Sequence, residues 1–260
     1  MQTRNRVKKI IIGNWKMNPI TLKDAEKLFR NIMKELLGNK KTEIIVCPPF
    51  IYLENIKKLS RSNQKVSLGA QDAFVGDVGP FTGEISPEML ANIGVKYVIL
   101  GHSERRTLGE NNNSINKKIK SALASGLVPV FCVGENERDG NHSYFNVVKE
   151  QIEICLDGIS KNLISKIIIA YEPVWALSST VNRKDATPAD CLEMAIFIKK
   201  ILSDKFGVKT ELPRIIYGGS VTERNAGEFL TNGGVDGLLP GQVSLDAKKF
   251  GGIVKIAENL

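Results

Sequence analysis

The sequence predicts an α/β protein folded as one closed (β/α)₈ barrel, on three observations. Eight short apolar runs rich in β-branched residues each precede a helix-forming segment, the alternation fills the chain, and no linker, low-complexity stretch or charge block interrupts it. Alternating strands and helices joined by right-handed crossovers give either an open doubly wound sheet or a barrel. Eight units in 260 residues favour the barrel, so residues 1–260 are read as a single domain.

The first strand is residues 9–12, and Thr21 then caps an amphipathic helix in which Leu22, Ala25, Leu28, Phe29, Ile32, Met33, Leu36 and Leu37 recur at helical spacing. Residues 43–47 form the second strand, stopped by Pro48 and Pro49 and followed by a short helix over 53–59. The third strand, 66–70, runs into a long loop, 71–83, holding Phe74, Pro80 and Phe81 among its glycines. Residues 87–93 are helical, and the fourth strand, 97–100, ends in Gly101-His102-Ser-Glu-Arg-Arg106. A helix over 114–125 closed by Gly126 leads to the fifth strand, 128–133, and a helix over 144–159 leads to the sixth. That sixth run, Ile167-Ile-Ile-Ala-Tyr171, stops at Glu172-Pro173, because proline cannot donate to a ladder and biases the preceding residue towards extended backbone. Thr187-Pro188 opens a long helix to about residue 206. The seventh strand is 214–217, a helix covers 225–230, the eighth strand is 237–239, and 246–258 is the terminal helix.

Composition narrows the function classes. Lysine plus arginine exceed aspartate plus glutamate by 36 − 28 = 8, but the lysines fall mostly along the helices (Lys117, Lys118, Lys120; Lys199, Lys200; Lys248, Lys249), as solvated faces do. With no RNA-binding aromatic signature or basic helix–turn–helix pattern, nucleic acid is not the expected partner. The positive balance suits the arrival of an anionic small molecule. No apolar run approaches the roughly 20 residues of a membrane span, so no membrane partner is expected. The apolar triplet Ile10-Ile-Ile12 is too short for a signal peptide's core, and Cys47, Cys132, Cys155 and Cys191 lack metal or disulfide spacing. A cytoplasmic location with reduced thiols follows, and Asn112-Asn-Ser114 and Asn141-His-Ser143 then carry no meaning as glycosylation sequences.

In a barrel the residues just after each strand meet at one rim, however far apart they lie in sequence. The first strand brings Asn14 and Lys16, the fourth His102 and Glu104, the sixth Glu172, and the last two Gly218, Gly219, Ser220 and Gly241. The glycines and Ser220 can turn backbone N–H groups towards an anion where such barrels commonly hold phosphate. Lys16 can neutralise that phosphate or a developing oxyanion. A helix starting just after His102 would disfavour the imidazolium and leave a neutral donor able to polarise a carbonyl. Carboxylate, imidazole, ammonium and phosphate cradle together match proton abstraction beside a carbonyl. Lys16 as a Schiff-base nucleophile, giving an aldolase, is the enzymatic alternative.

Seven stretches closely resemble triosephosphate isomerases: Gly13-Asn-Trp-Lys16, Cys47-Pro-Pro-Phe50, Phe81-Thr-Gly-Glu84, Leu100-Gly-His-Ser-Glu-Arg-Arg106, Cys132-Val-Gly-Glu135, Ala170-Tyr-Glu-Pro-Val-Trp175 and Tyr217-Gly-Gly-Ser220. The resemblance covers essentially the whole chain and implies a TIM barrel that interconverts dihydroxyacetone phosphate and glyceraldehyde 3-phosphate through an enediolate. The family is a well-known case of a carboxylate base paired with a neutral histidine. By that resemblance Glu172 carries the proton between the two carbons, His102 polarises and protonates the oxygens, Lys16 stabilises negative charge, Asn14 fixes the oxyanion and Glu104 orients Lys16. Ser220 and nearby backbone hold the phosphate, no cofactor or metal takes part, and the chain is at least a homodimer in which Thr82, on the 71–83 loop, reaches across to support the partner's Asn14.

Two segments depart from the family pattern. After Trp175 the chain reads Ala176-Leu-Ser-Ser-Thr-Val-Asn-Arg183, three residues longer than usual and without the two lid glycines, so that Ser178 would offer a hydroxyl where the family offers backbone. After the eighth strand, Leu239-Pro-Gly-Gln-Val-Ser244 places Gln242 where a phosphate-facing glycine is expected. These departures leave open a second reading, a catalytically weak barrel that binds a phosphorylated metabolite.

Overall fold

A computed structural model describes residues 8–60, 65–177, 180 and 183–260. Eight parallel strands close in sequence order, β1 Ile10–Asn14, β2 Glu43–Cys47, β3 Val66–Ala70, β4 Tyr97–Leu100, β5 Val128–Val133, β6 Ile168–Tyr171, β7 Arg214–Tyr217 and β8 Gly237–Leu238. Parallel pairing runs around the ring, and Ile10↔Gly237 and Ile11↔Leu238 join the last strand to the first. The strands alternate between two apolar layers. Ile10, Ile12, Ile45, Ile99, Val130, Ile168, Ala170 and Ile216 fill the barrel interior, while Ile11, Ile44, Val46, Val98, Phe131, Ile169 and Ile215 pack against the helices. Near-continuous apolar strands follow from burial on both faces.

The closing strand is the shortest, two residues where three are expected. Gly237 has to be glycine, because a Cβ there would lie 2.0 Å from the Ile10 carbonyl oxygen. Pro240 falls beyond β8, and its carbonyl accepts the Asn14 N–H at 3.0 Å, tying the eighth loop to the end of β1.

The helices are α1 Leu22–Glu35, α2 Leu53–Ser60, α3 Pro87–Asn92, α4 Ser103–Thr107, α5 Asn112–Ala124, α6 Tyr144–Cys155, α7 Lys161–Ile164, α8 Pro188–Phe206, α9 Ala226–Asn232 and α10 Ala247–Glu258. Thr21 caps α1 by accepting the Asp24 N–H, and Thr187 and Asp190 form a reciprocal capping box ahead of Pro188. Asn111 caps α5 through the Ser114 N–H, so that helix starts two residues earlier than its apolar pattern suggests. The single helix expected over 144–159 is two, because Gly158 adopts φ +67° and ends the first helical path before α7 begins. Among the described residues no helix is long and apolar enough to cross a membrane.

At the N-terminal mouth of the barrel, Glu43 on β2 accepts from Arg214 on β7 at 2.6 Å and from the Tyr97 hydroxyl on β4. Burial pushes the Glu43 carboxyl up, but the hydrogen bonds from Arg214 and Tyr97 and the charges of Arg214 and Lys8 outweigh it and hold it below its usual value. The opposite mouth carries the site.

Candidate active site

Asn14 ends β1 and is nearly buried; its carbonyl accepts from the Ser244 hydroxyl and its Oδ1 from the Lys16 N–H at 3.0 Å. That last bond holds Lys16 at φ +52°, a left-handed conformation rare for a residue with a side chain and common where a functional group must be aimed. The Gln71 side chain donates to the Lys16 carbonyl at 2.8 Å and steadies the turn from the other side. The Lys16 ammonium then pairs with Glu104 on α4.

His102 precedes α4 and is 7% exposed. Its Nδ1 accepts the Glu104 N–H at 3.2 Å, so in the neutral ring the proton sits on Nε2. Nε2 is 3.2 Å from Oε1 of Glu172.

Glu172 follows β6 directly and is 2% exposed. Oε2 accepts the Ser103 N–H at 3.1 Å, whereas Oε1 has no well-aligned donor despite the nearness of His102. The carboxylate lines a cavity of about 180 Å³ with Gly101, Ser103, Arg106, Cys132 and Gly134. A second cleft, of about 190 Å³, is lined by Asn14, Lys16, His102, Leu177, Arg183, Gly218, Gly219, Ser220, Gly241 and Gln242. Glu172 therefore stands beside the cleft, and Gly218 lies between: a Cβ at 218 would meet the Glu172 Cγ at 2.8 Å.

The chain after Glu172 is anchored from β5. Glu135 is fully buried, and its Oε1 accepts from the Tyr171 hydroxyl at 2.9 Å, the Trp175 indole at 2.8 Å and the Arg138 Nε at 3.1 Å. Arg138 also reaches Asp190 and Glu193 on α8, so both ends of the segment between β6 and α8 are held by one network. The Ser220 hydroxyl donates to the Ala176 carbonyl at 2.7 Å, and the Thr180 hydroxyl donates to the Val174 carbonyl.

The model of the family described as triosephosphate isomerase matches residues 9–257. The chain belongs to the triosephosphate isomerase family. It is 41% identical over 249 residues to a triosephosphate isomerase of Moorella thermoacetica, covering 94% of this chain and 97% of that protein. A triosephosphate isomerase of Dehalococcoides mccartyi is 43% identical over 251 residues, covering 95% and 96% respectively. The crystal structure of triosephosphate isomerase from Bartonella henselae superposes with a TM-score of 0.83 at 36% identity, covering 96% of this chain and 99% of that one. The chain is an isomerase built on a TIM barrel.

Of the site residues expected in this triosephosphate isomerase family member, Asn14, Lys16, His102, Gly219, Ser220, Gly241 and Gln242 line one cleft, Glu104 pairs with Lys16, and Glu172 lies beside His102. Ser178 lies outside the described residues. Thr82 is exposed on the 71–83 loop, whose Phe74 and Phe81 rings pack 4.6 Å apart. Ser220 is in the cleft, but its hydroxyl is engaged by Ala176. Motifs alone give no role to Ser103, Glu135, Arg138 or Arg183. Glu135 carries a signal of its own, an acid directly after a buried strand and a glycine; the other three are defined only by tertiary contact.

Proposed function

We propose that the chain interconverts dihydroxyacetone phosphate and glyceraldehyde 3-phosphate by moving a proton between adjacent carbons through an enediolate. The observation that carries this reading is the Glu172 Oε1 to His102 Nε2 distance of 3.2 Å beside the cleft that Asn14 and Lys16 also line. Glu172 is the base: a carboxylate with one oxygen tied to the Ser103 N–H and the other free of an aligned donor keeps a lone pair for the substrate. His102 donates from Nε2 to the substrate's oxygens, and Lys16 and Asn14 stabilise the charge that develops there. Glu104 orients the Lys16 ammonium. The phosphate lies against Gly219, Ser220, Gly241 and Gln242, with the Ser178 hydroxyl as a further donor. The reaction so written uses no cofactor or metal.

For chemistry to occur Glu172 must move from the Ser103 side past Gly218 into the cleft, and the Ser220 hydroxyl must leave Ala176 to meet the phosphate. Purified chain should turn over either triose phosphate without added metal and bind a phosphate-bearing enediolate mimic more tightly than substrate. Tight binding of the mimic without turnover would support the weak-barrel reading, and failure of both would refute phosphate recognition here.

We further propose one barrel domain over residues 1–260, a homodimer and a cytoplasmic location. Met17, Ile20, Ile51, Val78, Phe81 and Leu108 are exposed apolar side chains on the loops after four consecutive strands, and a patch of that kind calls for a partner. Thr82, on the same loop as Val78 and Phe81, would support Asn14 of the second copy. Sedimentation should give twice the 28.7 kDa chain mass, and a monomer at micromolar concentration would refute the dimer. The four buried, unpaired cysteines suit a reducing compartment.

A further inference from the structure

The cleft is short of uncommitted positive charge. A triose phosphate brings a dianion, and an enediolate adds to it. Yet the Lys16 ammonium is paired with Glu104, and Glu172 adds a carboxylate next door. Among the described residues Arg183 is the other cation lining the cleft, facing it together with Leu177, Gly219, Ser220 and Gln242. It comes from the segment between β6 and α8 that is three residues longer than the family pattern and lacks that pattern's glycines.

The state of Arg183 fits a waiting ligand. Its side chain is 41% exposed, and among the described residues its acidic partner is Asp185, with Nε 3.6 Å from Oδ1, beyond ordinary hydrogen-bond range. Asp185 is itself 78% exposed, so this contact is screened and cheap to exchange. A guanidinium presents a planar fork that matches two phosphate oxygens at once, which a lysine does not.

We propose that Arg183 is a substrate-binding residue that grips the phosphate of the triose from the elongated segment after β6. This rests on the reading of the cleft as a phosphorylated-triose site. The test compares wild type, Arg183→Ala and Arg183→Lys in three assays: turnover of glyceraldehyde 3-phosphate, competitive inhibition by inorganic phosphate, and the slow turnover of unphosphorylated glyceraldehyde. Arg183→Ala is expected to raise both the KM for glyceraldehyde 3-phosphate and the inhibition constant of phosphate about tenfold, the equivalent of roughly 1.4 kcal/mol. Arg183→Lys should recover part of that loss, and turnover of glyceraldehyde should stay unchanged. If wild type is inhibited by phosphate but Arg183→Ala matches it within about twofold, the role of Arg183 is overturned while the site reading stands. An equal loss on glyceraldehyde would show a structural role and overturn the proposal as well. If wild type itself is indifferent to phosphate, the site reading fails first.

Discussion

Gly218→Ala tests how Glu172, the proposed base, reaches its substrate. The added methyl would start 2.8 Å from the Glu172 Cγ and 3.4 Å from its Oε1, and real Cβ atoms do not approach a carbon that closely. The Cγ belongs to the stem of a carboxylate that is 2% exposed and tied to the Ser103 N–H, so it cannot yield as a free side-chain tip would. Overpacking of this kind costs about 1–3 kcal/mol, or roughly 2–12 °C in Tm for a chain of this size. The kinetic effect should be larger. Gly218 also lines the cleft, so the methyl obstructs the path from the Ser103 side to the substrate. A displacement of about 1 Å at a catalytic group costs on the order of 10²-fold in rate. Steady-state isomerisation well below the melting point should therefore show kcat reduced roughly 10- to 100-fold with KM changed little. A kcat within twofold of wild type would refute the claim that Glu172 passes Gly218.

Two further outcomes follow from the same geometry. His102→Ala removes the Nε2 donor and the acceptor for the Glu104 N–H; kcat should fall about 10²–10³-fold, while the lost cap costs only about 1 kcal/mol, which separate rate and melting measurements would resolve. Glu43→Gln should lower Tm at neutral pH by roughly 4–8 °C, taking about 2 kcal/mol for a bond to a charged group. Because the Glu43 carboxyl is held below its usual value in the folded chain, its contribution is present above the unfolded value of about 4.3 and is lost as pH falls through the lower folded one. The gap in Tm between the two proteins should therefore close on acidification below about pH 4, and a gap that stays constant would contradict the pairing.

Much of this molecule was legible in its sequence because strand ends in a barrel are written locally. β-Branched runs stopped by Gly13, Gly101 and Pro173 placed Asn14, His102 and Glu172 at one rim. Thr21 and Thr187 announced their helices for the same reason, since a cap acts within three residues. What remained hidden was set by long-range contact. The bond between Glu135 and Trp175 spans 40 positions, and the N–H of Ser103 that holds Glu172 spans 69. Neither leaves a periodicity to read. The left-handed turn at Lys16 is imposed by the Asn14 side chain and Gln71, and a lysine gives no hint of it. The need for glycine at 237 comes from the close approach of the Ile10 carbonyl, a packing constraint with no local signature beyond the glycine itself.

The role of Glu172 as the base is tested most directly by the isomerisation rate of Glu172→Gln, measured beside wild type on glyceraldehyde 3-phosphate. The amide keeps the shape of the side chain and an oxygen for the Ser103 N–H but removes the lone pair that takes the proton. With Glu172 as the base, kcat falls by about 10²–10⁴-fold and Tm changes little. A variant that retains kcat within tenfold of wild type would contradict that role.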